Sequence, residues 1–267
     1  MGISFSVLSS GSTGNATIVR NEDTTLLIDA GLSARRIDEL LKERDMMGEE
    51  IDGILVTHEH SDHIKGLGAV ARKYNLPIYA NEKTWEAMSK SLGKIAEENR
   101  IVLESHEVKD FGTLRVEPFE ISHDAAAPVG YCFYDGDEKL GVATDLGYVS
   151  DKVKKALDGS DVLVLEANHD IEMLRMGRYP WNTKRRILGD MGHLSNNSAG
   201  EALSELLTGD TKRAYLAHLS LDHNMMDLAK MTVRDTMEDR GCFFKDSEFK
   251  LCDTYYDRST PWDKVGD

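Results

Sequence analysis

Apolar and polar positions along this chain fall into short blocks that switch between a period of two and a helical period. Ile3 to Leu8 reads as a buried strand leading into Ser9-Ser10-Gly11-Ser12-Thr13-Gly14-Asn15, a loop of small residues. The backbone amides of such a loop, with Ser12 and Asn15 among its polar side chains, can approach an anion; an ordinary hairpin turn is the alternative. Leu26-Leu27-Ile28 is a strand ending at Asp29, and Ser33 then caps a helix running through Arg44 with Ile37, Leu40 and Leu41 on one face. Ile54-Leu55-Val56 is the next strand, followed by a helix from Ile64 to Tyr74, a strand from Leu76 to Ala80 and a helix after Asn81. Further strands are expected near Arg100 to Glu104, Thr113 to Ser122, Val129 to Tyr134 and Lys139 to Thr144. No low-complexity stretch or linker interrupts this order, so the pattern predicts one α/β domain over residues 1–267.

A weak internal repeat sharpens that picture. Leu27-Ile28-Asp29-Ala30-Gly31-Leu32, a helix and Ile54-Leu55-Val56-Thr57-His58 are echoed by Val142-Ala143-Thr144-Asp145-Leu146-Gly147, a helix and Val162-Leu163-Val164-Leu165-Glu166. Two similar halves, about 1–110 and 111–250, imply two mixed sheets packed face to face with helices outside. Strand-end residues of both halves can then meet along one edge, and of the matching pair only Asp145 is expected to approach that meeting point.

The richest stretch chemically is Thr57-His58-Glu59-His60-Ser61-Asp62-His63, directly after an apolar strand. Residues two apart on a helix do not face each other, so His58 and His60 converge on one ion only in extended or loop backbone. Asp62 and His63 point elsewhere and can hold a second ion. Imidazole with carboxylate suits Zn²⁺ or Mn²⁺, with Fe as a further candidate. His123, Asp145 and His218 each follow an apolar run, which places three more ligand-type side chains at strand ends. Together these seven residues make two sites.

Composition narrows the setting. The three cysteines, Cys132, Cys242 and Cys252, are odd in number and form no C-x-x-C pair, which fits reduced thiols in a cytoplasmic protein. No apolar run has the length of a membrane span, and the start has no signal-peptide pattern, so no membrane partner is expected. A formal charge of −15 argues against a general basic coat for nucleic acid. One segment reverses that sign: Arg175, Arg178, Lys184, Arg185 and Arg186 lie together with Tyr179 and Trp181 and no acid. Cations beside aromatics suit a phosphate backbone with unstacked bases, and a solvated helix face is the alternative.

The H-x-H-x-D-H motif formed by His58, His60, Asp62 and His63 resembles that of the metallo-β-lactamase-fold hydrolases. The resemblance is closer to the WalJ/YycJ branch, through Ile28-Asp29-Ala30-Gly31-Leu32-Ser33, Ile121-Ser122-His123-Asp124, Thr144-Asp145-Leu146-Gly147, Glu166-Ala167-Asn168-His169-Asp170, Gly192-His193-Leu194-Ser195-Asn196 and Ala217-His218-Leu219-Ser220. It covers nearly all of the chain before about residue 250. It implies an αββα sandwich in which His58, His60 and His123 hold one metal, Asp62, His63 and His218 the other, and Asp145 bridges. His223, in Asp222-His223-Asn224, is a nearby imidazole that competes with His218 for this assignment. Members of that branch are regarded as nucleases, with DNA exonuclease activity implied for some of them, so the resemblance suggests a phosphodiesterase, a DNA exonuclease, acting on DNA in preference to RNA.

Two divalent ions per chain, roughly 3.5 to 4 Å apart, acidify a shared water and clamp a phosphoryl oxygen. Asp62 can orient or accept the nucleophile's proton. His193 is the candidate general acid or phosphate clamp, in a loop before the helix expected from Asn196 to Thr208. His193 resembles the His of the Gly-His-Ser-Thr motif in ribonuclease Z. Glu166, similar to the Glu of that family's His-Glu-Ala-Thr stretch, is expected to hold His193 or His169 in place. Trp181, Lys184, Arg185 and Arg186, with Ser12 and Asn15, are the expected substrate contacts. A hydrolase of small phosphodiesters, esters, thioesters or lactams would share the metals without needing the basic segment, and a non-catalytic metal-binding protein would lack turnover.

Overall fold

The computed structural model describes residues 2–207 and 211–267; Met1 and Thr208, the ends of two expected segments, lie outside the described residues. The chain begins with β1 (Ser4–Ser9), β2 (Ala16–Arg20), β3 (Thr25–Ile28), α1 (Ala34–Lys42), β4 (Gly53–Leu55), α2 (Ser61–Ile64), α3 (Leu67–Tyr74), β5 (Ile78–Ala80), α4 (Glu82–Met88) and β6 (Arg100–Val102). It continues with β7 (Lys109–Phe111), β8 (Leu114–Glu120), β9 (Val129–Asp135), β10 (Glu138–Ala143), α5 (Asp151–Leu157), β11 (Val162–Glu166), α6 (Ile171–Met176) and α7 (Trp181–Ile187). Then come α8 (Asn196–Leu206), β12 (Arg213–Ala217), α9 (Met226–Asp239), β13 (Lys250–Cys252) and β14 (Asp263–Lys264).

Two seven-stranded mixed sheets result, ordered β14-β1-β2-β3-β4-β5-β6 and β13-β12-β11-β10-β9-β8-β7. The repeat seen in the sequence is a repeat of topology. In the first sheet β3 and β4 run parallel through α1, and in the second β10 and β11 run parallel through α5. Strands in this position are buried on both faces, which is why they read as unbroken apolar runs. Leu26, Ile28 and Leu55 face Val142, Val162 and Val164 in the layer between the sheets. Leu27 and Ile54 point outward onto α1 and α3, through Ile37, Leu40, Leu67 and Val70. Leu163 and Leu165 meet α8 and α9, through Ala199, Leu203 and Val233. No described helix is long and apolar enough to cross a membrane.

Several local expectations change. The helix expected from Ile64 to Tyr74 is two pieces, because the Gly66 amide bonds the Ala30 carbonyl at 2.8 Å where the chain turns against the first half's loop. Strands β2, β7, β13 and β14 were not anticipated. β14, the charged pair Asp263–Lys264, returns from the second half to pair with Ser4 and Phe5 of β1. The pseudo-halves therefore interlock at the C-terminal end, and the first sheet is completed by the last strand.

Candidate metal centre

The side chains with metal-binding chemistry gather where the segments after β4, β8, β10 and β12 meet the end of β11 and the loop between α7 and α8 at one edge of the sandwich. His60 has extended backbone (φ −64°, ψ 149°) and caps α2, so His58 and His60 project from non-helical chain as their spacing requires. Their rings lie 4.6 Å apart, and the His123 ring is 5.1 Å from His58 and 5.0 Å from His60. Nε2 of His123 is 3.3 Å from Nδ1 of His60. On the other side, Oδ2 of Asp62 lies 3.4 Å from Nε2 of His218 and 3.6 Å from Nε2 of His63. Asp145 sits between the groups, with Oδ2 at 3.2 Å from Nε2 of His63 and Oδ1 at 3.8 Å from Nε2 of His123 and 3.5 Å from Nε2 of His218. All seven sequence-derived ligand candidates are thus brought together.

The far ring nitrogens are fixed by other groups. Nδ1 of His63 bonds Asp29 at 2.7 Å, Nδ1 of His123 bonds the Gly192 carbonyl at 3.0 Å, and Nδ1 of His218 bonds Glu166 at 3.0 Å. Donating Nδ1–H outward leaves each Nε2 lone pair directed at the cluster, the usual tautomer for a metal-binding imidazole. Nε2 of His58 and Oδ2 of Asp145 are buried with no hydrogen-bond partner. Buried polar atoms are nearly always satisfied, so these two orphans mark a place a cation fits. The backbone around the cluster is strained: Asp29, Asp145 and His218 all have left-handed backbone, at φ 58°, 61° and 55°.

Electrostatics follow from this crowding. Burial opposes charge on His63, but Asp145 and Asp29 outweigh it and hold the imidazole well above its ordinary range. Burial likewise opposes charge on His218, yet Asp145, Asp62 and Glu166 raise it to about 10. Burial dominates at His58, which is pushed well below the usual value. Burial also penalises the Asp145 carboxylate, but His218 and His63 hold it well below the usual carboxylate range. A second proton, on Nε2 of His63 or His218, would balance the buried carboxylates as a divalent cation would.

Glu166 holds His193, one of the two histidines expected, and takes His218 as a further partner. It ends β11 fully buried and bonds Nδ1 of His193 at 2.8 Å as well as Nδ1 of His218, while its other oxygen accepts from the Leu146 and Leu194 amides. His169 is not its hydrogen-bond partner; Nδ1 of His169 lies against Asn168 Oδ1 at 3.3 Å. His193 stacks on His218 with ring centroids 5.2 Å apart, beside the ligand groups and partly exposed. His223 does not compete with His218, because it is buried against Tyr179 and bonded to Ser220 away from the cluster.

The expected substrate contacts fare less well. Lys184 is 7% exposed, and its ammonium donates to the Arg175 and Gly177 carbonyls at 2.6 and 2.7 Å, so it closes the end of α6 and cannot reach a phosphate. Arg186 is exposed but paired with Asp124, whose carboxylate lies 3.4 Å from Nε2 of His123. Arg185 is exposed and has no side-chain partner among the described residues, and Trp181 is 59% exposed. Asn15 is buried: its Oδ1 accepts from the Gly11 amide and its Nδ2 lies 3.1 Å from Nε2 of His63, so it braces the cluster, while Ser12 is exposed at the loop tip. Sequence reasoning missed Ser10, whose hydroxyl accepts from the His218 amide at 2.7 Å, and Thr57, which ties Asp29 to the motif. Both lie beside motif residues, the only signal they offered.

A family model described as a beta-lactamase superfamily domain matches residues 24–219. An exodeoxyribonuclease YycJ of Bacillus anthracis is 51% identical over 95% of this chain and 96% of its own length. An exodeoxyribonuclease WalJ of Streptococcus pneumoniae is 44% identical over 99% of both chains. Among solved structures, the metallo-beta-lactamase fold protein YhfI of Bacillus subtilis superimposes with a TM-score of 0.72 at 16% identity, over 97% of this chain and 99% of that one. Matches of this extent, on a chain whose two mixed sheets carry a cation-fitting His and Asp cluster at their shared edge, place it plainly: it belongs to the beta-lactamase superfamily and, within it, to the YycJ/WalJ family of metal-dependent hydrolases.

Proposed function

We propose that this protein is an exodeoxyribonuclease that holds two divalent ions, Zn²⁺ or Mn²⁺ with Fe as a further candidate. His58, His60 and His123 would hold one, Asp62, His63 and His218 the other, and Asp145 would serve both. The observation carrying the two-ion reading is the place of Asp145 between two three-residue groups: Oδ1 lies near both His123 of the first set and His218 of the second, while Oδ2 lies near His63 and has no hydrogen-bond partner. The DNA substrate is supported by relatives of near-equal length named exodeoxyribonucleases. Bound in these positions, divalent ions supply Lewis acidity to a phosphodiester and acidify water.

The chain's own groups perform the remaining steps. Asp62 is the more exposed of the central carboxylates, with 23% of its side chain accessible against 3% for Asp145, so it is the one able to orient a nucleophile and accept its proton. His193 holds Nδ1 on Glu166 and leaves Nε2 for substrate. Burial opposes its charge, but Glu166 and Asp145 raise its pKa above the ordinary value, so it carries a proton to give to a leaving oxygen. Glu166 stays ionised, at about 2 despite burial, because His193 and His218 bond it.

The deciding experiment is metal analysis of the purified protein together with cleavage of end-labelled single- and double-stranded DNA, before and after chelation and on return of Zn²⁺, Mn²⁺ or Fe²⁺. About two ions per chain and stepwise shortening from one end are expected. Intact DNA under every metal, with a small phosphodiester still hydrolysed, would move the assignment to a small-substrate hydrolase.

A further inference from the structure

Beside the His218 group lies a cleft of about 290 Å³, lined by Ser10, Leu221, Met225, Tyr255, Tyr256 and Arg258 among others. That volume is near the lower end for small-ligand pockets, about 300 Å³. The cleft is joined to the cluster by backbone. The Ser10 amide bonds the Tyr255 carbonyl at 2.9 Å, the Ser9 hydroxyl donates to the Tyr256 carbonyl at 2.9 Å, and the Ser10 hydroxyl accepts from the His218 amide. Leu219, Ser220 and Leu221 line the cleft and follow His218 directly in the chain. Consecutive Cα atoms are about 3.8 Å apart, so Leu221, following Leu219 and Ser220, stands no more than about 11 Å from His218.

The lining is unusual for a surface facing water. Tyr256 is 49%, Leu221 51% and Met225 60% exposed, so three large side chains present apolar area around one opening. The Arg258 guanidinium lies 3.8 Å above the Tyr255 ring and has no carboxylate partner among the described residues, although Asp257 stands beside it. A flat cation layered on an aromatic ring is a stacking surface for another planar group, with charge of the sign that attracts a phosphodiester. Apolar walls, a stacked Arg and Tyr, and attachment to the metal-binding loops together describe a seat for an unstacked base and its neighbouring phosphate.

We infer that this cleft binds the base of the nucleotide adjoining the scissile phosphate, with Tyr256 and the Arg258–Tyr255 pair as its stacking surfaces. The inference rests on the nuclease reading above and adds to it a base-binding subsite. It also gives the terminal nucleotide a reason to be unpaired, since a base within a duplex cannot enter the cleft.

The experiment compares single-stranded oligonucleotides of one sequence in which a single abasic residue is walked through the first few positions from the attacked end. With the metal-loaded wild-type protein, an abasic residue at one position should raise KM by about 5- to 150-fold, the range for loss of one base–aromatic stack. In Tyr256→Ala the intact oligonucleotide should lose affinity by a similar factor, and the penalty for the abasic residue should shrink toward one. Tyr256→Phe should restore both, because it returns the ring without the hydroxyl. If DNA is cleaved but KM is indifferent to abasic residues at every position, or Tyr256→Ala leaves the abasic penalty unchanged, the subsite is overturned while the nuclease reading stands. If no oligonucleotide is cleaved while methyl p-nitrophenyl phosphate is hydrolysed, the nuclease reading falls and takes the subsite with it.

Discussion

The loops after β3 and β10 are built alike and put to different uses. Each carries an aspartate in left-handed backbone at the strand end, Asp29 and Asp145, and each is nearly buried at 3% and 2% exposure. Each has glycine two residues later because a distant backbone carbonyl presses on it: a Cβ on Gly31 would fall 1.7 Å from the Asp62 carbonyl oxygen, and one on Gly147 would fall 1.8 Å from that of Asp190. The carboxylates then part company. Asp29 is fully engaged, accepting from the Thr57 amide, the Thr57 hydroxyl and Nδ1 of His63. Asp145 keeps an oxygen with no hydrogen-bond donor and faces the cluster.

What differs is which strand supplies the brace. In the first half the aspartate after β3 holds the loop after β4, through Thr57. In the second half the direction is reversed, and Glu166 at the end of β11 holds the loop after β10, through the Leu146 amide at 2.8 Å. With the Leu146 amide held by Glu166, Asp145 takes no part in that bracing and keeps Oδ2 without a partner beside the cluster. One backbone design thus yields a fully engaged carboxylate or one left facing the cluster, according to where its partner strand places a hydrogen-bonding side chain.

The sharpest way to break this contrast is to remove one charge from each half. Asp145→Asn should lose bound metal and bring DNA cleavage close to background, whereas Asp29→Asn should cost about 10- to 100-fold, the usual size for a group that orients a ligand. Equal metal loss in the two variants, measured by elemental analysis after gel filtration, would show that the two aspartates do not divide the work as the hydrogen bonds indicate. Next in size, His193→Ala should keep the metals and lower kcat by about 10²- to 10⁴-fold. A substrate with a p-nitrophenolate leaving group, which needs no proton, should suffer much less. Glu166→Gln should follow at about 10- to 100-fold. Because Glu166 braces both His193 and His218, its variant should impair metal affinity and proton donation together, and a loss confined to one of them would reassign the residue.

Much of this was legible beforehand, and the failures share a cause. The candidate ligands could be found because they cluster in or follow the segments directly after apolar runs, as at Ile54-Leu55-Val56 and Ala214-Tyr215-Leu216-Ala217, and such runs are fixed by burial. β14 could not be found because its two residues carry no apolar alternation: Asp263 is tied to Arg213 and Tyr215 of a distant strand, and the rest of the pairing with β1 is main-chain. The break at Gly66 depends on a contact with Ala30 from another loop. Lys184 looked like part of a cationic face, yet it turns inward to bond two carbonyls at the end of α6, a role that local composition does not separate from phosphate binding.

That last case also yields a modest prediction, since α7 has a basic side that only the second half carries. Arg185→Ser should flatten the dependence of log DNA affinity on log salt by about 0.7 to 0.9, the effect of one phosphate contact. Lys184→Met should lower thermal stability by unsatisfying two carbonyls, with no change in that slope. A salt titration with both variants separates them, and a changed slope for Lys184→Met alone would mean the helix opens to DNA.

The smallest expected effect concerns metal-free protein, in which protons take over the balancing of charge in the two halves. The folded-state pKa of His218 is raised to about 10 by Asp145, Asp62 and Glu166 against the penalty of burial, and that of His63 is raised by Asp145 and Asp29. Unfolded histidine titrates near 6.5. Binding a proton more tightly in the folded state stabilises the fold fully below about 6.5, and that stabilisation is lost as pH rises toward the folded value. Asp145 and Glu166 are depressed, so their contribution is complete above the ordinary carboxylate range and stays flat through this interval. The melting temperature of chelated protein should therefore fall between about pH 7 and about pH 9, below the range near 10 where tyrosines begin to contribute. Metal-loaded protein should not follow, because ions displace these protons and bind more tightly as pH rises. The two halves can be read separately within the same titration: Asp29→Asn should weaken the His63 share and Glu166→Gln the His218 share. A melting temperature independent of pH across that interval in the chelated wild type would mean that the carboxylates are not balanced by histidine protons, and would remove the electrostatic basis for treating the cluster as a preformed cation site.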